Sequence, residues 1–131
     1  MHAPPHKPYD VVVMGCGLMG SALARTLARQ GHTVAAWNRT PEKARALAVD
    51  GITAVDDIED AVRSSRVVLA CTASYDTTRA ALDEVGTWNG SVLVNVGTGV
   101  PDEVDEMEQW AKARGVAYLD GSILCYPQHV G

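Results

Sequence analysis

The residues with the clearest chemical meaning are glycines close to the amino terminus. Gly15, Gly17 and Gly20 follow the apolar run Tyr9–Met14 and lead directly into a segment rich in Ala and Leu. A G-x-G-x-x-G spacing between a strand and a helix presents backbone N–H groups to the pyrophosphate of a dinucleotide. The alternative is a glycine-rich turn that binds nothing. We predict dinucleotide binding, because the strand before the glycines and the helix after them are both present. The candidate binding residues of this glycine loop are Gly15, Gly17, Leu18, Met19 and Gly20.

A second group of polar residues follows the next apolar run and bears on the choice of dinucleotide. Asn38 stands where an NAD-binding chain usually has an acid that binds the adenosine ribose. An amide there removes the charge that would repel a 2′-phosphate, and Arg39 offers a planar cationic fork to that phosphate. Thr40 adds a hydroxyl and Lys43 a further cation. We therefore predict NADPH or NADP+ as the cofactor. The alternative is a solvated Arg39 beside an N-cap Thr40, and one hydroxyl could serve both roles.

Two more loops with small and polar residues follow later apolar runs. Because the carboxyl ends of parallel strands meet at one edge of a sheet, both loops are expected beside the glycine loop. Their hydroxyls could contact the ribose and nicotinamide of the cofactor. Capping of the next helices by Ser74 and Thr98 is an equally good reading, and Asn95 could simply tie loops together. The candidate cofactor-binding residues in these loops are Thr72, Ala73, Ser74, Asn95, Val96, Gly97 and Thr98.

No group of residues in the sequence has the pattern of a catalytic or metal site. There is no Ser–His–Asp arrangement and no metal-ligand spacing, so we assign neither catalytic nor metal-binding residues. Cys16, Cys71 and Cys125 are odd in number and far apart, which favours free thiols in a reducing compartment. A cytoplasmic location is therefore predicted.

Composition limits the class of protein and its partners. The chain has 131 residues, of which 47% are hydrophobic, and this is enough for one domain with a core. A net charge of -5 without a basic cluster argues against a nucleic-acid partner. No apolar run approaches the length of a membrane span, so no membrane partner is expected. We predict a flexible leader at residues 1–8 and a single cofactor-binding domain at residues 9–131.

Strand and helix patterns alternate along the whole chain. Six predicted strands joined by crossovers indicate an α/β fold with a doubly wound parallel sheet of the Rossmann type. The expected strand order is 3-2-1-4-5-6, with the ligand at the carboxyl ends of strands one and four. Periodicity places a buried stripe of Val104, Met107 and Ala111 on the acidic helix that begins at Pro101. Among the other predicted elements are helices at Leu18–Gln30, Pro41–Ala48 and Tyr75–Val85 and a last strand at Tyr118–Ile123.

Three stretches of the sequence resemble a known family. The glycine loop, the segment Trp37–Ala44 and the segment Tyr118–Gly131 look like the N-terminal domain of NADPH-dependent imine reductases. These enzymes are relatives of the β-hydroxyacid dehydrogenases and of 6-phosphogluconate dehydrogenase. The first two stretches are common to the superfamily, and the last one discriminates. The residues that match the imine reductase pattern there are Leu119, Asp120, Gly121, Ile123, Pro127 and Gly131.

The resemblance implies an activity that the residues alone do not establish. It implies hydride transfer from NADPH to a small-molecule imine or iminium ion, giving an amine. It also implies a helical C-terminal domain, absent from this sequence, that forms a homodimer and carries the usual proton donor. The chain is then expected to be a truncated part of the enzyme and inactive by itself. The alternatives are a domain of an NADP-dependent β-hydroxyacid dehydrogenase and a non-catalytic NADPH-binding module.

Overall fold

The strands and helices of the chain alternate as expected. The computed structural model describes residues 7–72, 74–86, 88–96 and 101–120. The strands are β1 (Tyr9–Met14), β2 (Val34–Trp37), β3 (Thr53–Ala54), β4 (Ser65–Ala70), β5 (Val92–Asn95) and β6 (Ala117–Asp120). The helices are α1 (Leu18–Arg29), α2 (Pro41–Arg45), a 3-10 turn (Ala46–Asp50), α3 (Ile58–Arg63), α4 (Tyr75–Leu82) and α5 (Pro101–Ala113).

The strands form one parallel sheet whose order confirms the prediction. The order is β3-β2-β1-β4-β5-β6, and every neighbouring pair is parallel. Met14 at the end of β1 pairs with Trp37 on one side and with Ala70 on the other, and Ala70 in turn pairs with Asn95. The carboxyl ends of the four central strands are therefore level. The loops that follow these strands start from one edge of the sheet.

Helices cover both faces of the sheet, which explains why the buried part of β1, Val11 to Met14, has only apolar side chains. Val12 and Met14 face a cluster with Leu93 of β5, whereas Val11 and Val13 face a second cluster on the opposite side. A strand buried on both faces has no exposed side on which polar residues could alternate. The core thus holds β1 rigidly at the centre of the sheet, directly beneath the glycine loop.

Several predicted element boundaries are wrong. The second helix does not run to Ala48: α2 ends at Arg45, continues as the 3-10 turn, and is closed by Gly51 in the left-handed conformation, with φ of 77°. Helix α4 ends at Leu82 rather than Val85, where the Val85 N–H bonds to the Leu82 carbonyl in a tight turn. The last strand starts at Ala117, and the part predicted beyond residue 120 lies outside the described residues.

Helix α5 packs through a wider surface than its predicted stripe. Met107 and Ala111 are buried as expected, and Val104 packs at the edge of the core. The sequence reading missed Trp110, which is 9% exposed and donates from Nε1 to Asp83 Oδ1 at 2.7 Å. Its ring meets that of Trp88 edge to face, with centroids 6.2 Å apart. This pair fixes α5 against the turn that precedes β5.

Lys7 lies in the predicted leader but contacts the domain. Its Nζ donates to the Arg63 carbonyl at 3.0 Å and to Ser91 Oγ at 2.9 Å, and burial lowers the pKa of its ammonium group. The chain is therefore anchored at the amino-terminal edge of the sheet before β1 begins.

Among the helices of the described ranges, none combines the length and the apolar character that a membrane crossing requires.

Candidate functional site

Two of the loop glycines are required by close packing. Gly15 has φ of 98°, and a Cβ placed on it would lie 2.7 Å from the Cys71 carbonyl oxygen. A Cβ on Gly20 would lie 1.8 Å from the Gly15 carbonyl oxygen, which is far inside van der Waals contact. The Gly15 N–H also donates to the Trp37 carbonyl at 2.8 Å. The glycine loop is thus pressed between the ends of β2 and β4, and α1 starts close against it.

Gly17 differs from the other two because it faces open space. A Cβ built on Gly17 meets no atom within 4 Å, and the residue is exposed. Gly17 is the N-cap of α1, and no side chain caps this helix end. The first N–H groups of a helix have no partner within the helix, and together with the helix dipole they suit an anion. The structure therefore presents a helix end of the kind that accepts a pyrophosphate.

The loop after β2 is tied to the glycine loop by one side chain. Asn38 Oδ1 accepts a hydrogen bond from the Cys16 N–H at 2.8 Å, and Asn38 Nδ2 donates to the Thr40 carbonyl at 3.0 Å. Thr40 is the N-cap of α2 by position, but its hydroxyl makes no capping bond. Thr40 is therefore the N-cap in position, as expected, but it caps through its carbonyl, which also accepts from the Lys43 N–H at 3.2 Å, and not through its hydroxyl.

Arg39 is exposed beside this junction. Within the described ranges its guanidinium has no hydrogen bond and no ion pair, unlike the neighbouring Arg45, which pairs with Asp56 at 2.7 Å. Lys43 is close enough for its charge to act on the Cys16 thiol. The rim of the loop after β2 therefore carries positive charge that no described carboxylate neutralises.

A cleft of about 820 Å³ opens between these loops and α4. A volume of this size is in the range of ligand-binding clefts in proteins. The described candidates that do not line it are Gly20, Thr40, Lys43, Ser74, Asn95 and Val96. The predicted site residues that line the cleft are Gly15, Gly17, Leu18, Met19, Asn38, Arg39 and Thr72.

The hydroxyls of the loop after β4 bond to the loop backbone and to the first residues of α4. Thr72 Oγ1 donates to the Ser74 carbonyl at 2.8 Å and contacts the Thr78 hydroxyl. Ser74 Oγ accepts from the Thr77 N–H at 3.1 Å, so Ser74 is the N-cap of α4. Of the two readings left open for Ser74, the structure therefore shows the capping one.

The third loop is described only in part. Asn95 is 1% exposed at the end of β5, and the Val96 N–H donates to the Ala70 carbonyl at 2.9 Å. The backbone of these two residues thus continues the sheet edge beside β4. The candidates Ala73, Gly97 and Thr98 lie outside the described residues, as does the segment after residue 120 that carries most of the discriminating resemblance.

One wall of the cleft was missed by the sequence reading. It is formed by one face of α4 and by the turn that follows this helix, with residues that recur at helical spacing from the first turn after the Ser74 cap. Small side chains lie in the middle of this wall, and carboxylates stand at its ends. The spacing was visible in the sequence, but only the sheet order shows that this face turns toward the glycine loop. The residues are Asp76, Thr77, Ala80, Ala81 and Glu84.

The thiol of Cys16 is not activated. Burial raises the pKa of the Cys16 thiol to about 11, and the nearby Lys43 charge opposes this only in part. Cys16 therefore remains a neutral thiol at physiological pH and is a poor nucleophile. Among the residues that can be described, no three His, Cys, Asp or Glu side chains come together as a metal site.

Known proteins with similar sequences and structures are oxidoreductases and nuclear factors. The NADPH-dependent reductive aminase of Aspergillus oryzae is 28% identical over 120 residues, covering 91% of this chain and 41% of that protein. The imine reductase of Myxococcus stipitatus, solved in complex with NADP+, superposes with a TM-score of 0.84 at 37% identity, covering 91% of this chain and 42% of that one. The cytokine-like nuclear factor N-PAC of Xenopus tropicalis is 31% identical over 118 residues, covering 84% of this chain and 22% of that protein.

The chain thus spans less than half the length of each of these relatives. Residues 10–124 match the sequence family described as the NAD binding domain of 6-phosphogluconate dehydrogenase. The matched range includes the whole parallel sheet except the first residue of β1, together with the glycine loop. The chain belongs to this family of NAD-binding domains.

Proposed function

We propose that this chain binds NADPH or NADP+ in the cleft beside the glycine loop. The observation that carries the proposal is Arg39, an exposed guanidinium at the rim of the cleft without a carboxylate partner among the described residues. A free guanidinium can form paired hydrogen bonds with a phosphate. Asn38 adds no negative charge at the position where an acid would repel the 2′-phosphate. Similar proteins solved with NADP+ and with NADPH support the assignment.

The residues present fit a dinucleotide. Gly17 leaves open space in front of the uncapped end of α1, where a pyrophosphate would find backbone N–H donors. Arg39, Thr40 and Lys43 would surround the adenosine 2′-phosphate. Thr72, with Ala73, Ser74 and the loop of Asn95 to Thr98, would form the part of the site that faces the ribose and nicotinamide. The roles of these residues are proposals.

For the whole protein we propose reduction of imines or iminium ions to amines. Reduced nicotinamide would supply the hydride. The part of this chain is to hold the dinucleotide at the carboxyl edge of a rigid parallel sheet, so that orientation is fixed before reaction. We assign no catalytic residue to this chain. The support is the similarity to reductive aminases and imine reductases, of which this chain matches 41% to 44% of the length.

The same proposal includes partners and location. The substrate would be a small-molecule imine bound against the nicotinamide end of the cleft. The whole protein would form a homodimer through a further helical domain and would be located in the cytoplasm. It would have no nucleic-acid or membrane partner. The net charge of -5 supports the absence of a nucleic-acid partner, and the thiol of Cys16, which forms no disulfide in the described part, supports a reducing compartment.

Titration of the purified chain with NADPH and with NADH, followed by nicotinamide fluorescence, tests the cofactor assignment. A charged hydrogen bond contributes about 1.5–3 kcal/mol, so Arg39→Ala should weaken NADPH roughly tenfold or more while NADH changes little. Arg45→Ala is the matched control, because it removes a guanidinium from α2 that is already paired with Asp56. Equal losses for both cofactors in Arg39→Ala would refute the phosphate assignment.

A non-catalytic NADPH-binding module is the second candidate. It is favoured by the similarity to N-PAC, whose name is that of a nuclear factor and not of a reductase. A domain of a β-hydroxyacid dehydrogenase remains the other enzymatic alternative. Assay of the complete gene product with NADPH and a cyclic imine, and with NADP+ and a β-hydroxyacid, separates the three. Activity on the imine alone supports the proposal, and activity on neither supports the module.

A further inference from the structure

Asn38 joins two loops that are distant in sequence. Its Oδ1 accepts the Cys16 N–H at 2.8 Å, and its Nδ2 donates to the Thr40 carbonyl at 3.0 Å. The first bond reaches the glycine loop, and the second closes the short segment that contains Arg39. The side chain is half-buried, and the bond from the Cys16 N–H is partly protected from water, whereas the bond to the Thr40 carbonyl is exposed.

Only an amide of this length satisfies both partners at once. A carboxylate could accept from the Cys16 N–H but has no hydrogen for the Thr40 carbonyl. A shorter hydroxyl can donate and accept but cannot reach both atoms. An aliphatic side chain would leave the buried Cys16 N–H without this partner, which is costly, and would leave the Thr40 carbonyl with the Lys43 N–H alone. The residue type at position 38 is therefore determined by these two hydrogen bonds as well as by charge.

The two hydrogen bonds of the Asn38 side chain matter because the Arg39 side chain has no hydrogen bond or ion pair of its own in the described part of the chain. It is exposed, and the described part of the chain offers its guanidinium no ion pair. Its position depends on the backbone from which it starts. That backbone lies between β2, whose Trp37 carbonyl accepts the Gly15 N–H at 2.8 Å, and Thr40, whose carbonyl is held by Asn38.

We propose that Asn38 is a positioning residue for cofactor discrimination, which acts on the 2′-phosphate through Arg39 by tying the Arg39 backbone to the glycine loop. This inference rests on the proposed binding of NADPH. It assigns to the Asn38 amide a task different from contact with the ribose. The preference for NADPH then depends on two coupled residues: Arg39, which contacts the phosphate, and Asn38, which positions the Arg39 backbone.

A double-mutant cycle tests whether the two residues act together. Dissociation constants for NADPH and NADH are measured by nicotinamide fluorescence for the wild-type chain, Asn38→Ala, Arg39→Ala and the double variant. Asn38→Ala should lower the NADPH preference about fivefold, the effect of one neutral hydrogen bond. In the Arg39→Ala background the same substitution should leave the preference unchanged, because the group that it positions is gone. Gln30→Ala, at the exposed C-cap of α1, is the control and should change nothing.

The outcomes separate the inference from the proposed function. If the wild-type chain shows no preference for NADPH, both fail. If the wild-type chain prefers NADPH but Asn38→Ala keeps the full preference, or if Asn38→Ala has the same effect in both backgrounds, the positioning role alone is refuted. If Asn38→Ala does not melt cooperatively, Asn38→Ser replaces it in the cycle. Its hydroxyl can accept from the Cys16 N–H but cannot span to Thr40, so the same loss is expected.

Discussion

Gly17 and Gly20 lie in the same loop, and one substitution at each should separate cofactor binding from folding. A Cβ on Gly20 would be 1.8 Å from the Gly15 carbonyl oxygen, so α1 would have to move away from β1. Overpacking of this kind costs about 1–3 kcal/mol, against which the better helix propensity of Ala returns about 1 kcal/mol. Because the clash is with backbone, we expect Gly20→Ala to lose about 2 kcal/mol of unfolding free energy or more and to melt several degrees lower.

Gly17→Ala should behave in the opposite way. No atom lies within 4 Å of the added Cβ, so the folded state accommodates it, and the change at this N-cap should stay within about 1 kcal/mol. The methyl group would instead occupy the space in front of the α1 N–H groups. Loss of one charge-assisted hydrogen bond to the pyrophosphate corresponds to roughly tenfold to hundredfold weaker binding.

Two measurements on both variants decide the matter. Melting by circular dichroism reports stability, and nicotinamide fluorescence titration reports the dissociation constant for NADPH. The expected pattern is a lower melting temperature for Gly20→Ala and a near-normal melting temperature with weak binding for Gly17→Ala. Wild-type affinity in Gly17→Ala would show that the cofactor does not approach this face of the loop, and the reasoning would be wrong.

Three further predictions concern the core, the thiol and the reaction. Trp110→Phe should cost about 1–2 kcal/mol in urea unfolding, because Asp83 loses the Nε1 donor at 2.7 Å; an unchanged midpoint would contradict this. Burial raises the pKa of Cys16 from 9.0 to about 11, so the unfolded chain releases this proton at a lower pH than the folded chain. The unfolding free energy should therefore fall as the pH rises from 9 to about 11. Cys16→Ala should show a smaller fall over the same pH range, measured by urea unfolding. The purified 131-residue chain should show no NADPH-dependent imine reduction by absorbance assay, since it offers no assigned proton donor, and clear turnover would disprove this.

The sheet order was predictable because its causes are local in sequence. The unbroken apolar run of β1 and the glycines after it each specify a structure within a few residues. Side-chain contacts between distant parts of the chain were less predictable. Trp110 is an example: its partner Asp83 is 27 residues away, and no periodicity in α5 reveals that bond.

The candidate site was predictable in its loops but not in its wall. The glycine spacing and the segment after β2 carry their signal in residue types. The face of α4 that contains Ala80 and Ala81 became visible only when the sheet brought this helix beside the glycine loop. Ser74 illustrates a different limit, because a hydroxyl before a helix has the same sequence pattern whether it caps the helix or binds a ligand. Its bond to the Thr77 N–H shows the cap.

The distribution of tryptophan gives the domain separate optical reporters. Trp37 lines the cleft, with its Nε1 held by the Asp56 carbonyl at 3.0 Å, whereas Trp88 and Trp110 are buried together against α5. Indole emission overlaps the absorption of reduced nicotinamide, so energy transfer from Trp37 would register occupancy of the cleft. The buried pair would register loosening of α5. Loss of indole emission on titration would therefore follow ligand uptake, and a red shift of that emission in denaturant would follow unfolding.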